Sequence, residues 1–363
     1  MAWTDCMSDI PINDWSCSRQ THAVTVDDQV FMFGYNKTCE EDIIQVVIFH
    51  PKTHTCSVIN PLRRKEGSHE AVRAPKGQVV HFAKAHEGKV YVCVGEFKAL
   101  KGGQLHVFDT RTLQWSCATT TGDVPSGYGY MWTGLCTCEE DGFVYLYAEN
   151  FISSDATYLW ALDLRSLHWK IVATREPDKD LTPRCIYLYK NRLYVLFECL
   201  NYYYETHDYA IMNFDLATET WERLQLPATT VFAKRLWMTF IYRDHLYFVL
   251  NDERVDDIDL REKFGNITLN EVALRYSFAQ NNWKQVWFKG LTPPDYLDMI
   301  CLVENTAVFF SLKNKKAYVL DFLPSLRSIC LHAVRKYQLD ATKLPALLKS
   351  ELLMHNIFSV NPK

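Results

Sequence analysis

Six short apolar runs recur along the chain: QVFMFG (29–34), KVYVCVG (89–95), FVYLYAE (143–149), RLYVLFE (192–198), HLYFVLN (245–251) and TAVFFSL (306–312). All are too short for an ordinary helix and rich in β-branched and aromatic residues, so each predicts a strand, and the unbroken apolar stretches predict burial on both faces. Aligned on their third residue, at Phe31, Tyr91, Tyr145, Tyr194, Tyr247 and Val308, they stand 60, 54, 49, 53 and 61 residues apart.

A second pattern follows the runs. FDTRTLQW (108–115), LDLRSLHW (162–169), FDLATETW (214–221) and YSFAQNNW (276–283) share an apolar residue, usually Asp, two variable positions, often Thr or Ser, and a closing Trp; FHPKTHTC (49–56) is a weaker copy. The sixth unit stops at YVLDF (318–322), without its closing Trp strand, while Met1-Ala2-Trp3-Thr4 precedes the first full unit. A repeat of this period, strands only, predicts an all-β, six-bladed propeller in which the N-terminal strand completes blade six and closes the ring. Trp115, Trp169, Trp221 and Trp283 are then packing residues between blades.

Beyond Phe322 the period changes. In PSLRSICLHAVRKYQL (324–339), Leu326, Ile329, Cys330, Ala333, Val334 and Tyr337 fall on one helical face, and KLPALLKSELL (343–353) opens a second Leu-rich helix. The expected division is a propeller over 1–322, a helical tail over 323–356 and a flexible end over 357–363.

Composition narrows the function. With 48% apolar residues and a formal net charge of −4, the chain lacks the basic excess of a nucleic-acid binder. It has no apolar run of about 18 residues and its first residues lack a signal pattern, so no membrane is expected and the location expected is cytoplasmic, nuclear or both. The 12 cysteines include no C-x-x-C pair, and Cys93, Cys136, Cys199 and Cys301 lie inside apolar runs, as reduced core thiols do. The sequons at Asn36 and Asn266 are chance matches in an unexported chain. G-x-S-x-G, H-E-x-x-H and a phosphate loop are all missing from the sequence and its histidines are scattered, which predicts a non-catalytic protein without metal or cofactor. NDERVDDIDLREK (251–263) carries Asp252, Asp256, Asp257 and Asp259 but no glycine at calcium-loop spacing, so it predicts a solvated insertion; NYYYETHDY (201–209) predicts a second long loop with exposed tyrosines.

The blade order of apolar strand, loop and [FL]-D-x-x-[TS]-x-x-W resembles the kelch repeat over residues 1–322, departing from it in the missing double glycine after the second strand (Gly34-Tyr35, Gly95-Glu96, Ala148-Glu149). Ser325-Leu326, Cys330 and Val334 are similar to the BC box that enters Elongin C, and Leu344-Pro345 with Leu348 and Leu352 is similar to a cullin 2 box. Together these resemble the kelch-domain substrate receptors of cullin 2 RING ubiquitin ligases. The resemblance implies Elongin C, Elongin B, and cullin 2 with its RING subunit as partners, and a propeller face that captures substrate C-termini, glycine-ended in that family, through arginines whose planar fork suits a carboxylate. Matching positions are Lys234, Arg235 and Trp237 at the opening of blade five, Arg184 in blade four and Arg19, beside His22, in blade one. Tyr130, with Tyr128 and Trp132, would wall the pocket from blade three; Tyr128 stands where an arginine is usual. Two other classes remain open from the residues alone: an enzyme on a propeller, and a kelch-repeat interaction scaffold with no ubiquitin-ligase role, in which Leu326 and Cys330 would pack on the ring.

Overall fold

The computed structural model describes residues 2–6, 21–35, 44–59, 75, 79–95, 99–101, 103–128, 136–140, 142–149, 157–175, 181–201, 206–224, 237–250, 272–287, 289–290, 298–311 and 315–322. They form six blade sheets arranged as a ring, antiparallel except where Lys289–Gly290 joins Ala2–Cys6 and Thr121–Gly122 joins His168–Arg175, and a separate two-stranded sheet of Ala99–Lys101 and Ser126–Tyr128. After an N-terminal strand β1 (Ala2–Cys6), blade one is β2 (His22–Val26), β3 (Gln29–Tyr35), β4 (Ile44–His50) and β5 (Thr55–Ile59). Blade two is β6 (Val79–His86), β7 (Lys89–Gly95), β9 (Gln104–Asp109) and β10 (Gln114–Thr119), with β8 (Ala99–Lys101) between its second and third strands. The chain then passes through β11 (Thr121–Gly122) and β12 (Ser126–Tyr128), which pairs with β8, into blade three: β13 (Cys136–Glu140), β14 (Phe143–Glu149), β15 (Thr157–Asp163) and β16 (His168–Arg175). Blade four is β17 (Leu181–Tyr189), β18 (Arg192–Asn201), β19 (Thr206–Asp215) and β20 (Thr220–Leu224); blade five is β21 (Trp237–Tyr242), β22 (His245–Leu250), β23 (Val272–Ser277) and β24 (Asn282–Trp287). Past β25 (Lys289–Gly290), blade six is β26 (Met299–Val303), β27 (Thr306–Ser311) and β28 (Lys316–Asp321), completed by β1.

The six second strands coincide with the six apolar runs, and β1 closes the ring as expected. Its register on β28 joins Ala2 to Asp321, Trp3 to Leu320 and Cys6 to Ala317. Trp3 therefore pairs as Trp115 does with Phe108, Trp169 with Leu162, Trp221 with Phe214 and Trp283 with Tyr276. In blade one that place is taken by Cys56, paired with Phe49. The first strands contact one another in the cycle β2, β6, β13, β17, β21, β26 and back to β2, so they line the axis.

Why the second strands are continuously apolar follows from the core. Six buried clusters fill six spaces, each between two blades. Val30 and Met32 of β3 pack toward blade six, whereas Phe31 and Phe33 pack toward blade two; alternate residues of one strand serve different neighbours. The closing tryptophans do lie between blades: Trp115 meets Phe33 edge-on at 6.0 Å, Trp169 meets Phe82 at 6.5 Å, and Trp221 meets Tyr147 at 5.8 Å.

The Asp of the repeat has a local task. Asp109 Oδ1 accepts the N–H groups of Arg111 (3.0 Å) and Thr112 (2.8 Å), and Asp215 Oδ1 accepts those of Ala217 (2.9 Å) and Thr218 (3.3 Å). Each carboxylate thus caps one helical turn between third and fourth strands. That turn ends in a left-handed residue, Leu113 (φ 57) or Glu219 (φ 55), whose N–H returns to the Asp carbonyl at 2.8 Å. The next residue along ties this turn to the inner hairpin: Thr110 N–H reaches Gly88 O, Leu216 N–H reaches Asn191 O, and Phe322 N–H reaches Asn305 O. Phe322 is buried, stacked on Tyr242 at 3.9 Å, so the ring core runs through this residue.

One strand expectation needs correcting. Residues 201–209 are not one long loop: β18 continues to Asn201 and β19 starts at Thr206, extending the hairpin through Leu200↔His207 and Asn201↔Thr206. Cross-strand pairing outlasts the apolar stretch there, which hydrophobic pattern does not register. Residues 251–263, both sequons and the 323–356 and 357–363 segments lie outside the described residues.

Three measurements check this architecture. Deleting residues 1–6 strips β28 of its outer partner and should lower the calorimetric melting temperature by at least several degrees. Trp169→Ala, at a side chain with no exposure, should cost about 3–5 kcal/mol in denaturant unfolding, and Trp221→Ala, half-buried, should cost less. The backbone N–H groups of Thr112 and Ala217 foremost hold the Asp109 and Asp215 carboxyls below the usual carboxylate range. A carboxyl held low in the fold stabilises above its unfolded value, and that stability is lost as pH falls through the folded value. Asp109→Ala with Asp215→Ala should therefore lower stability near neutrality and flatten the fall in melting temperature as pH drops below about 5.

Candidate functional site

Strand direction divides the ring into two faces. Every first strand runs the same way, so one face collects the tight turns after first and third strands. The other collects the blade-to-blade connections and the starts of the first strands. The turn face is stitched by short links: the Tyr189 hydroxyl donates to Asp244, that of Tyr242 to Asn305 Oδ1 at 2.8 Å, and Lys52 Nζ meets Asp28 at 2.6 Å and Glu304 at 3.6 Å, joining blades four to five, five to six and six to one.

Of the candidate ligand residues, Arg184 and Trp237 fall on strands that start at the opposite rim. Arg184 lies in β17 and Trp237 opens β21, and these two strands are neighbours around the axis. Arg184 occupies a β-bulge, between Pro183 paired with Phe197 and Cys185 paired with Leu196. Extra residues of this kind bend a strand and re-aim a side chain. Arg19, Tyr130, Trp132, Lys234 and Arg235 lie outside the described residues, as do Ser325, Leu326, Cys330, Val334, Leu344, Pro345, Leu348 and Leu352 of the tail; Tyr128 is described as backbone, in β12.

A second bulge escaped the sequence reading. In β6, Val80 pairs with Val94 and Phe82 with Cys93, leaving His81 unopposed. Counted back from the turn, His81 stands five residues before His86 and Arg184 five before Tyr189, so the two bulges sit at one level, two blades apart. Beside His81, half-buried His22 opens β2 and donates to the Val80 carbonyl. Burial first, then the Lys84 ammonium and the His81 ring, push the His22 imidazole down to about 4, against the Val80 bond. Lys84, half-buried in β6, also acts on Cys301 of β26. His81 and Lys84 break the apolar run VVHFAKAH, the one signal in the sequence that marks them.

Burial pushes the Cys93 and Cys301 thiols up to about 12, which leaves them protonated and poor nucleophiles. Among the described residues, no group of three or more His, Cys, Asp or Glu is placed to hold a metal ion, and no helix is long and apolar enough to cross a membrane.

No known protein-family profile matches the chain. Curated proteins do: kelch domain-containing protein 3 of Rattus norvegicus and that of Mus musculus are each 25% identical to it, and that of Homo sapiens 23%, with 92% of this chain and 92% of each relative covered. The similarity to these kelch-domain proteins is weak but runs the full length of the chain, and the six-bladed ring agrees with it.

Proposed function

We propose that the chain is the substrate-recognition subunit of a cullin 2–Elongin B/C RING ubiquitin ligase, with the rim at the first-strand starts receiving a substrate C-terminus and the tail holding the ligase. The observation that carries this reading is the position of the tail motif. Asp321-Phe322 closes the ring core, and Ser325-Leu326, Cys330 and Val334 follow immediately at BC-box spacing. A Leu knob, a small Cys one turn on and an aliphatic residue a further turn on suit insertion into a hydrophobic groove. Leu344, Pro345, Leu348 and Leu352 then supply the cullin contact. Strand direction supports the division of labour: Phe322 stands on the turn face, so the tail departs at the end of the ring remote from Arg184 and Trp237.

A second reading, a kelch scaffold without ligase partners, is favoured by the ring itself: among the described residues, the six inter-blade clusters are built from residues up to Phe322. Co-purification separates the two. Full-length chain co-expressed with Elongin B, Elongin C and cullin 2 should capture all three, and Leu326→Ala with Cys330→Ala should abolish capture while the melting temperature stays near that of the wild type. Absence of capture by the wild type, or unfolding of the double variant, favours the scaffold.

A further inference from the structure

We propose that the outer edge of blade four, strand β20, docks an extended Gly-Asp segment of a partner protein, which adds to the blade as a fifth strand parallel to β20. This edge lies on the outer wall of the ring, apart from the rim discussed above. The chain itself shows how such an edge is filled. Leaving blade two, it sets Thr121 and Gly122, six and seven residues after Trp115, beside His168 and Trp169 of β16. Leaving blade five, it sets Lys289 and Gly290, six and seven residues after Trp283, beside Ala2 and Trp3 of β1. Both pairings are parallel, and in both the glycine stands opposite the closing tryptophan of the next blade. At Gly122, φ is +83 and a Cβ would overlap the Trp169 carbonyl, so this place requires glycine. Three hydrogen bonds complete the contact: Thr121 N–H donates to Leu167 O (2.9 Å), Asp123 N–H to Trp169 O (3.0 Å), and Ile171 N–H to the Asp123 carboxylate (3.4 Å).

Blade four presents the same edge, and among the described residues β20 is the last strand of its sheet. Its register repeats that of β16: Trp221 pairs with Phe214 and Arg223 with Met212, as Trp169 pairs with Leu162 and Ile171 with Trp160. Glu219 repeats Leu167, down to a left-handed backbone with φ 55 in both. The Glu219 carbonyl and the Arg223 N–H therefore point outward, as the Leu167 carbonyl and the Ile171 N–H do. Blade three does not fill this edge in the manner of blades two and five. Its sixth residue after the tryptophan, Arg175, is held in its own sheet by Thr157, and β17 already begins at Leu181. The difference shows in exposure: Trp169, beside β11, is wholly buried, whereas Trp221 is half-buried. An open strand edge accepts an added backbone, and charge selects which one. Where blade three has Ile171 to meet Asp123, blade four has exposed Arg223, so an aspartate placed after the glycine gains a guanidinium as well as the N–H. Among the described residues Arg223 is in no ion pair, and its acidic neighbour Glu222 is turned to Arg192 at 3.8 Å and Asn213 at 3.4 Å.

The test is fluorescence anisotropy with the full-length chain and a peptide of the sequence TTTGDVP, that of residues 119–125, labelled at its N-terminus and amidated so that it offers the rim no terminal carboxylate. Binding should be saturable. Alanine in place of the peptide's glycine should abolish it, and asparagine in place of its aspartate should weaken it roughly tenfold, the scale of one charge-assisted hydrogen bond. Arg223→Gln should weaken binding by a similar factor. Arg223→Pro removes an N–H that the ladder with β19 does not use, a place where an edge strand tolerates proline, and should abolish binding. Lys190→Met, on the turn face, should leave it unchanged. No saturable response, or equal responses to the glycine and alanine peptides, overturns the proposal. So does a binding curve unaltered in both Arg223 variants when these melt like the wild type; if Arg223→Pro melts well below the wild type, Arg223→Gln decides alone. If the chain sediments as a dimer that Arg223→Pro separates, the occupant of β20 is a second copy and the partner segment is refuted.

Discussion

A blade of this ring has no interior of its own. Each second strand divides its side chains between two neighbours, so that Phe31 and Phe33 complete one cluster while Val30 and Met32 complete the next. At roughly 25 cal/mol per Å² of apolar surface removed from water, most of the stabilisation resides between blades, and it exists only if every blade has a neighbour on each side. An open row of six would leave two such faces in water. The β1–β28 pairing, through which blade six holds the two ends of the ring together, is therefore the constraint on which the other five interfaces depend. Further protection comes from β25, which runs parallel to β1, and from β11, which does the same for β16 of blade three. At β11 the approach is so close that Gly122 (φ +83) has no room for a Cβ against the Trp169 carbonyl.

The same closure makes the two faces unequal. On the turn face, hairpins are tight and left-handed residues, capping aspartates and tyrosine hydroxyls leave little freedom; the stack of Tyr189 on Phe278 at 4.1 Å repeats in the next blade as Tyr242 on Phe322. The connections on the rim side differ in length along the sequence, and the two bulges found among the described first strands, at His81 and Arg184, lie toward it. Variation in a propeller is tolerated where it does not disturb the inter-blade clusters, and the rim is that place.

Much of this was legible in the residues. Runs such as KVYVCVG and FVYLYAE match β7 and β14 end to end because a strand buried on both faces has no polar positions to blur its limits. The Asp and Trp of the repeat were legible because each has a fixed chemical task, capping a turn and filling a gap between blades. Other features have no such signature. Cys56 takes the tryptophan position of blade one with a far smaller side chain, and a two-residue strand such as β11 is set by the edge it meets, not by its own composition. The bulges at His81 and Arg184 were invisible because one inserted residue leaves the apolar count of a strand unchanged. Arg184 was singled out from a family pattern and His81 was passed over, although the backbone treats them alike. For the tail the motif residues are legible only as spacing, since their partners would come from other chains.

The opposition of the faces bears on how recognition and attachment would be related on the proposed reading. At about 3.3 Å per residue, Arg184, five residues before the turn-face end of β17, stands about 17 Å from that face. Between the two lie the inter-blade clusters, whose buried side chains are close-packed. A ligand seated at the rim would then leave the point where the chain departs at Phe322 unaltered. Binding at one end and attachment at the other would add independently, and what a bound substrate gains is position: it is held on the axis by a ring whose rigidity comes from the same closure that keeps each blade folded.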